Sequence, residues 1–284
     1  MYDKILYGWN IDNEKKYEWK TLGYDGEGWF NQWIEKVKNK FQPWIEVVLY
    51  YSLIFWDEWV AKIAREWKDS LQPWMKINFD WNNIWVEWVE NLAKEWKNKL
   101  QPWMEIDLGS NNIWPEWIEN LAREWKDGLQ PWMIINLWSN VIWDEWVKIL
   151  AKEWKNSLQP WMEIDLGSNY IWVGWIENLL KEWKDCLKPW MTIDLQYNEI
   201  WDNWAEILAK EWKNSLQPGM TIDLLYTNIW DNWLEILVKE WRYSLKPWMK
   251  INLVNKYITY KMKEKLKAWE KENQERWIKC EILV

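Results

Sequence analysis

The sequence predicts an α/β solenoid in which a strand, a turn and a helix recur as one unit, and three observations predict it. Prolines fall at 43, 73, 102, 131, 160, 189, 218 and 247, a spacing of 30 once and of 29 thereafter. A fixed period of that length marks a stacked repeat rather than a globular domain. An apolar alternation follows each proline, and a stretch with apolar residues at helical spacing follows the alternation. Periods of two and of 3.6, taken in turn within one repeat, give strand and then helix.

The strand comes first. Met75, Ile77 and Phe79 alternate with polar residues, as do Met104, Ile106 and Leu108, and the series runs on to Met249, Ile251 and Leu253. Ile45, Val47 and Leu49 are an earlier version, and Ile278, Cys280 and Ile282 fall in the same slots one period after Pro247, which predicts a terminal strand with Cys280 in the core. One buried and one solvated face follow from alternation. A polar column stands three residues after the strand, at Ser52, Asn82, Asn111, Asn140, Asn169, Asn198, Thr227 and Lys256. Asparagine suits a turn there, because its side chain can bond backbone groups that leave the ladder.

The helix follows. In one copy Ile118, Leu121, Ala122, Trp125 and Leu129 form a single apolar stripe. Asp144, Asp202 and Asp231 occupy first turns, while Lys97, Lys126, Lys155 and Lys213 lie toward the ends, as the helix dipole prefers. Glu90/Lys94, Glu119/Arg123, Glu206/Lys210 and Glu235/Lys239 are i,i+4 pairs, each worth about 0.2–0.5 kcal/mol. The next proline stops the helix. The stack therefore has parallel strands on its concave side and helices on its convex side, with about eight repeats over 41–258. Residues 1–40 are read as an N-terminal cap with a degenerate repeat, and 259–284 as a capping helix with the terminal strand, since a solenoid needs polar ends over its core.

Bulk properties narrow the function. A net charge of -8 disfavours nucleic acid and favours a basic protein partner. The chain has no run of 18 apolar residues and no basic-then-apolar start, which predicts a soluble, cytoplasmic protein away from membranes. It contains no histidine, so Ser/His/Asp triads, histidine-bound metals and imidazole acid–base chemistry are excluded. Cys186 and Cys280 are too few for a disulfide framework.

The segment IDLGSNNI, from Ile106 to Ile113, followed by Leu121, Ala122 and Trp125, resembles the strand, turn and helix of leucine-rich repeats of the ribonuclease-inhibitor type. The likeness covers roughly residues 41–258. It implies a horseshoe that binds other proteins on its concave face and adjoining loops, without catalytic residues; a monomer without cofactor or metal is expected. One departure stands out. Where the family has GxxG at the helix start, this chain has WxxW, at Trp56/Trp59, Trp85/Trp88, Trp114/Trp117, Trp143/Trp146, Trp172/Trp175, Trp201/Trp204 and Trp230/Trp233.

Tryptophan is abnormally common, 36 residues in all against 9 glycines. Besides the WxxW pairs, seven occupy an EW slot in the helix (Trp67, Trp96, Trp125, Trp154, Trp183, Trp212 and Trp241) and seven follow the repeat proline. The slot after proline holds glycine once, at Gly219. Glycine serves tight turns and close backbone approach, which an indole cannot reproduce. Many tryptophans are therefore expected to be native glycines, from UGA codons that some genetic codes read as glycine and others as tryptophan. The EW slot fits this least well, since the family has leucine there. Two other readings remain, stacked tryptophan ladders as structure and an aromatic surface for carbohydrate or a cell envelope.

The candidate site is the outward strand face. Its first column is Lys76, Glu105, Ile134, Glu163, Thr192, Thr221 and Lys250; its second is Asn78, Asp107, Asn136, Asp165, Asp194, Asp223 and Asn252. Glu105, Asp107, Glu163, Asp165, Asp194 and Asp223 form an acidic band suited to steering a basic protein. The bland reading is that Asp or Asn in the second column is repeat consensus. Carboxylates one per strand make a line, not the cage a hard cation needs, and offer no unique pair for acid–base catalysis.

Overall fold

The computed structural model describes residues 3–6, 26–49, 57–82, 86–113, 115–142, 144–169, 171, 173–199, 202–276 and 280–284. Ten strands form one parallel sheet in chain order: β1 (Asp3–Leu6), β2 (Ile45–Val48), β3 (Lys76–Asn78), β4 (Glu105–Asp107), β5 (Ile134–Asn136), β6 (Glu163–Asp165), β7 (Thr192–Asp194), β8 (Thr221–Asp223), β9 (Lys250–Asn252) and β10 (Glu281–Leu283). Between them run α1 (Gly26–Lys38), α2 (Asp57–Trp67), α3 (Val86–Trp96), α4 (Pro115–Trp125), α5 (Asp144–Trp154), α6 (Val173–Trp183), α7 (Asp202–Trp212), α8 (Asp231–Trp241) and α9 (Tyr260–Glu275). The chain is a solenoid like that of leucine-rich repeats. Strands sit about 4.8 Å apart and packed helices about 8–10 Å, so the stack curves with the sheet inside.

Register is copied without slip. Ile77, Ile106, Ile135, Ile164, Ile193, Ile222 and Ile251 pair in succession, and all are buried. A slip of one residue would turn this column outward, so burial fixes the register. The flanking Met and Leu/Phe columns are buried too, and the helical stripe Ile118, Leu121, Ala122, Trp125 and Leu129 closes on them. Methionine has a particular use: the thioethers of Met75 and Met104 accept the backbone N–H of Gln72 (3.1 Å) and Gln101 (3.2 Å). The same glutamines turn back to the helix end, Gln72 Nε2 donating to Ser70 O and Gln101 Nε2 to Lys99 O. That is the physical content of the recurrent LQP.

The asparagine column is more than a local turn. Asn82, Asn111, Asn140, Asn169 and Asn198 are buried. Asn111 Oδ1 accepts the N–H of Asn82 (2.8 Å), Asn140 Oδ1 that of Asn111 (3.0 Å), Asn169 Oδ1 that of Asn140 (2.9 Å) and Asn198 Oδ1 that of Asn169 (3.0 Å). Each Nδ2 from Asn111 onward donates to a carbonyl of the preceding repeat, as Asn140 does to Leu108 O at 2.9 Å. An amide satisfies buried donors and acceptors on both sides at once, and a shorter hydroxyl cannot. At Thr227, where the column changes, the hydroxyl donates to Leu224 O (2.6 Å) within its own repeat. Ser52 lies outside the described residues.

Three features differ from the sequence expectation. Asp3–Leu6 forms a first strand, pairing Asp3 with Ile45, although no repeat is visible there. Glu235 turns to Lys265 of α9 (2.9 Å) rather than to Lys239, because the last helix offers a cation from outside the repeat; Glu90, Glu119 and Glu206 keep their i,i+4 partners. An unanticipated ladder also joins neighbouring helices: Lys68–Glu95 (2.7 Å), Lys97–Glu124, Lys126–Glu153, Lys155–Glu182 (2.9 Å), Lys184–Glu211 and Lys213–Glu240. Such solvent-screened pairs contribute little individually. Cys280 is buried and its thiol is pushed up to about 11 by burial, as a core residue should be.

Candidate binding face

Glu105, Asp107, Glu163, Asp165, Asp194 and Asp223 all lie on the outward side of β4, β6, β7 and β8, half-buried, in the two expected columns. They do not form one continuous band. β5 interposes Ile134 and Asn136 between the pair on β4 and the four residues on β6 to β8. Glu105 is also already engaged, by an ion pair with Lys76 on β3. At the other end Lys250 pairs with Glu281 at 3.2 Å. Lys76 and Lys250 are thus engaged elsewhere, leaving Glu163, Asp165, Asp194 and Asp223 without an ion pair among the described residues.

The second column has a structural duty as well. Asp107 Oδ1 accepts the N–H of Gly109 (2.9 Å), Asp165 Oδ1 that of Gly167 (2.8 Å), Asp194 Oδ1 that of Gln196 (2.9 Å) and Asp223 Oδ1 that of Leu225 (2.9 Å). Asn78, Asn136 and Asn252 do the same for Asp80, Trp138 and Val254. Asp and Asn are interchangeable in this Asx turn, so the turn explains the residue pair and not the charge. The charge is shared by both carboxylate oxygens, and the second oxygen meets neutral donors: Asn78 Nδ2 on Asp107, Gln196 Nε2 on Asp194 and Asn252 Nδ2 on Asp223.

Charge crowding is visible in proton affinity. Burial first, then the neighbouring Asp165, and further Asp223 and Glu163, push Asp194 up to about 7. Asp165 is pushed up to about 6 by burial, with Asp107 and Asp223 adding to it. Asp80, in the turn after β3, reaches about 6 through burial and then Asp107. Burial also raises Asp107 and Glu163, with Asp165 adding to the latter. Such a surface gains from any cation that arrives.

Sequence reading missed the aromatic rim beside these carboxylates. Tyr197 and Tyr226, three residues beyond Asp194 and Asp223, are 47% and 48% exposed, with ring centroids 4.9 Å apart. The signal was present as T-I-D-x-x-Y, repeated 29 residues apart from Thr192 and from Thr221.

The tryptophan columns also separate here. The indoles of Trp44, Trp74, Trp103, Trp132, Trp161 and Trp190 stack in succession, with centroids 3.8–4.4 Å apart. Their backbones, with that of Trp248, hold φ between 65° and 72°, and Gly219 in the same slot has φ 72°. A side-chain carbon placed on Gly219 would come 2.2 Å from the Trp190 ring, which fills that space. The EW column is different: Trp67, Trp96, Trp125, Trp154, Trp183, Trp212 and Trp241 are fully buried. Six of these seven donate Nε1–H to a carbonyl of the preceding helix, for example Trp154 to Ala122 O (3.1 Å) and Trp241 to Ala209 O (2.8 Å). Trp125 lacks an acceptor. Of the WxxW pairs, the side chains of Trp117, Trp230 and Trp233 lie within the described residues. Trp117 and Trp233 are buried with Nε1–H unpartnered, and Trp230 begins α8 without a side-chain cap bond.

Among the described residues no helix is long and apolar enough to cross a membrane. No protein-family model matches the chain, and no curated protein is significantly similar to it.

Proposed function

We propose that this chain is a non-enzymatic protein-interaction scaffold of the ribonuclease-inhibitor type of leucine-rich repeat, holding a basic protein on its inner strand face. The observation that supports it most is the uncompensated run Glu163, Asp165, Asp194 and Asp223 on three adjacent strands in one register. A rigid row of carboxylates raises encounter rates with a basic surface and gives register to the contact. Affinity purification with the native chain and with a Asp165→Lys/Asp194→Lys variant tests this. Partners retained by the first and lost from the second are expected; unchanged capture would count against the inner face.

A second reading uses the stacked indoles as a surface for carbohydrate or a cell envelope. Magnitudes weigh against it. Left-handed backbone costs a residue with a β-carbon roughly 1–2 kcal/mol, hence roughly 7–14 kcal/mol over seven tryptophans, as much as an ordinary domain's whole stability. Five stacked pairs return roughly 0.5–1.5 kcal/mol each. Glycine in this slot, as at Gly219, removes the cost. The post-proline and WxxW tryptophans are therefore best understood as native glycines read from UGA, and the EW tryptophans as native tryptophans. The gene decides it: UGA is expected at the first two sets and UGG in the EW column, with an intact native mass to match. UGG after the prolines would sink this reading.

A further inference from the structure

Tyr197 and Tyr226 are large, half-exposed rings in a turn that forces φ to 55° and 52°. Ser110, Ser139 and Ser168, small residues with polar side chains, hold that slot in the three preceding repeats, at φ 50°, 52° and 54°. Each tyrosine keeps about half of its surface in solvent, more than a core residue would, and the residue occurs in two consecutive repeats. In both it comes with the same companions. Thr192 pairs with Thr221 and Asp194 with Asp223, so two T-x-D-x-x-Y units lie side by side. Threonine keeps the first column low, with no long side chain over the carboxylates. Each carboxylate oxygen meets only neutral donors, and the sheet's own paired cations stand on β3 and β9.

We propose that these two units form a docking surface for an arginine side chain of a protein partner, its guanidinium bridging Asp194 and Asp223 and its face lying on Tyr197 and Tyr226. This rests on the inner-face reading above and names its centre. Adjacent strands set the two carboxylates about 4.8 Å apart, within reach of the two edges of one planar fork, which a point-charge ammonium does not span. Tyrosine faces attract the same cation by its flat side. The charge complementarity is one-sided, because nothing on β6 to β8 among the described residues neutralises these acids. Trp138 also meets Tyr197, edge-on at 5.4 Å, but it alternates with Gly109 and Gly167 and carries no part of the proposal.

The probe is an acetylated, amidated Gly-Ser-Arg-Gly-Ser peptide titrated into the full chain, followed by NMR of the tyrosine rings and backbone amides, beside its lysine and citrulline analogues. Shifts centred on Tyr197, Tyr226 and Gln196 are expected, with lysine at least threefold weaker and citrulline without effect. Tyr197→Ser/Tyr226→Ser installs the residue that neighbouring repeats already carry, so it preserves the turn. It is expected to weaken the arginine peptide at least fivefold. Equal binding of citrulline, unchanged affinity of the serine variant, or shifts centred on Asp107 or Glu105 would overturn the proposal. Failure here is distinguishable from failure of the scaffold reading. A captured partner lost with Asp165→Lys/Asp194→Lys but kept with the serine variant refutes the tyrosine dock alone, and one indifferent to both variants refutes the inner face.

Discussion

The post-proline and EW columns place the same residue on the same 29-residue period, and the fold treats them in opposite ways. In the EW column the indole is enclosed, and in six of seven copies its N–H reaches a carbonyl of the helix before it. Size and polarity are both used. In the post-proline column the indole stacks on its own copies while its backbone is held where an L-residue is strained. Repetition multiplies whatever one repeat contains, favourable or not, because each repeat meets only its neighbours. A residue type that recurs in register is thus not evidence of fitness until the local geometry has been consulted.

The largest expected effect breaks the EW column. Trp154→Gly leaves a large hole beneath α5 and an unpaired carbonyl at Ala122, and should lower stability by about 3–5 kcal/mol in urea unfolding. Trp154→Phe keeps most of the volume and loses the donated hydrogen bond, so a loss of about 1 kcal/mol is expected. A neutral Trp154→Gly would erase the distinction between the columns.

The same substitution after proline should behave differently. Trp103→Gly relieves roughly 1–2 kcal/mol of backbone strain and gives up two stacks worth roughly 0.5–1.5 kcal/mol each, for a net change between about 1 kcal/mol stabilising and about 2 kcal/mol destabilising, well short of the EW loss. Replacing all seven together should leave Tm unchanged or higher, since seven strained residues outweigh five stacks. A cooperative collapse of the seven-glycine chain would show that the ladder is structural.

How much of this was legible depended on whether the signal repeats. Strands, helices and both outward columns follow from period two, period 3.6 and a constant 29, because burial of Ile106 and its equivalents admits only one register. β1 was not legible, because Asp3 does not lie one 29-residue period before its partner Ile45. The asparagine column was legible as polar but not as buried, since a bond to the next repeat's amide leaves no trace in one repeat. The acidic residues were placed correctly, yet their division by Ile134 and the engagement of Glu105 by Lys76 needed the sheet. Tyr197 and Tyr226 were passed over because departures from a repeat look like noise, although specialisation of a repeat surface consists of such departures.

The smallest expected effect sharpens the comparison by adding a third column. The stacked acids resemble the stacked indoles in costing stability when copied, but protonation relieves their cost and leaves the indoles untouched. Asp194 is raised to about 7 and Asp165 to about 6, above the ordinary carboxylate range near 3.8. Between about pH 4 and 7 the folded chain therefore holds more protons than the unfolded one, and stability falls as pH rises through that window. Tm should be a few degrees lower at pH 8 than at pH 5. Asp194→Asn removes the most displaced group, so it should flatten the slope, leaving the remainder to Asp165, Asp80, Asp107 and Glu163. The seven-glycine chain should keep the slope of its parent, because its substitutions leave Asp165 and Asp194 and their carboxylate neighbours in place. A Tm that rises from pH 5 to pH 8, or a slope indifferent to Asp194→Asn, would mean that the outward carboxylates are better solvated than their crowding implies.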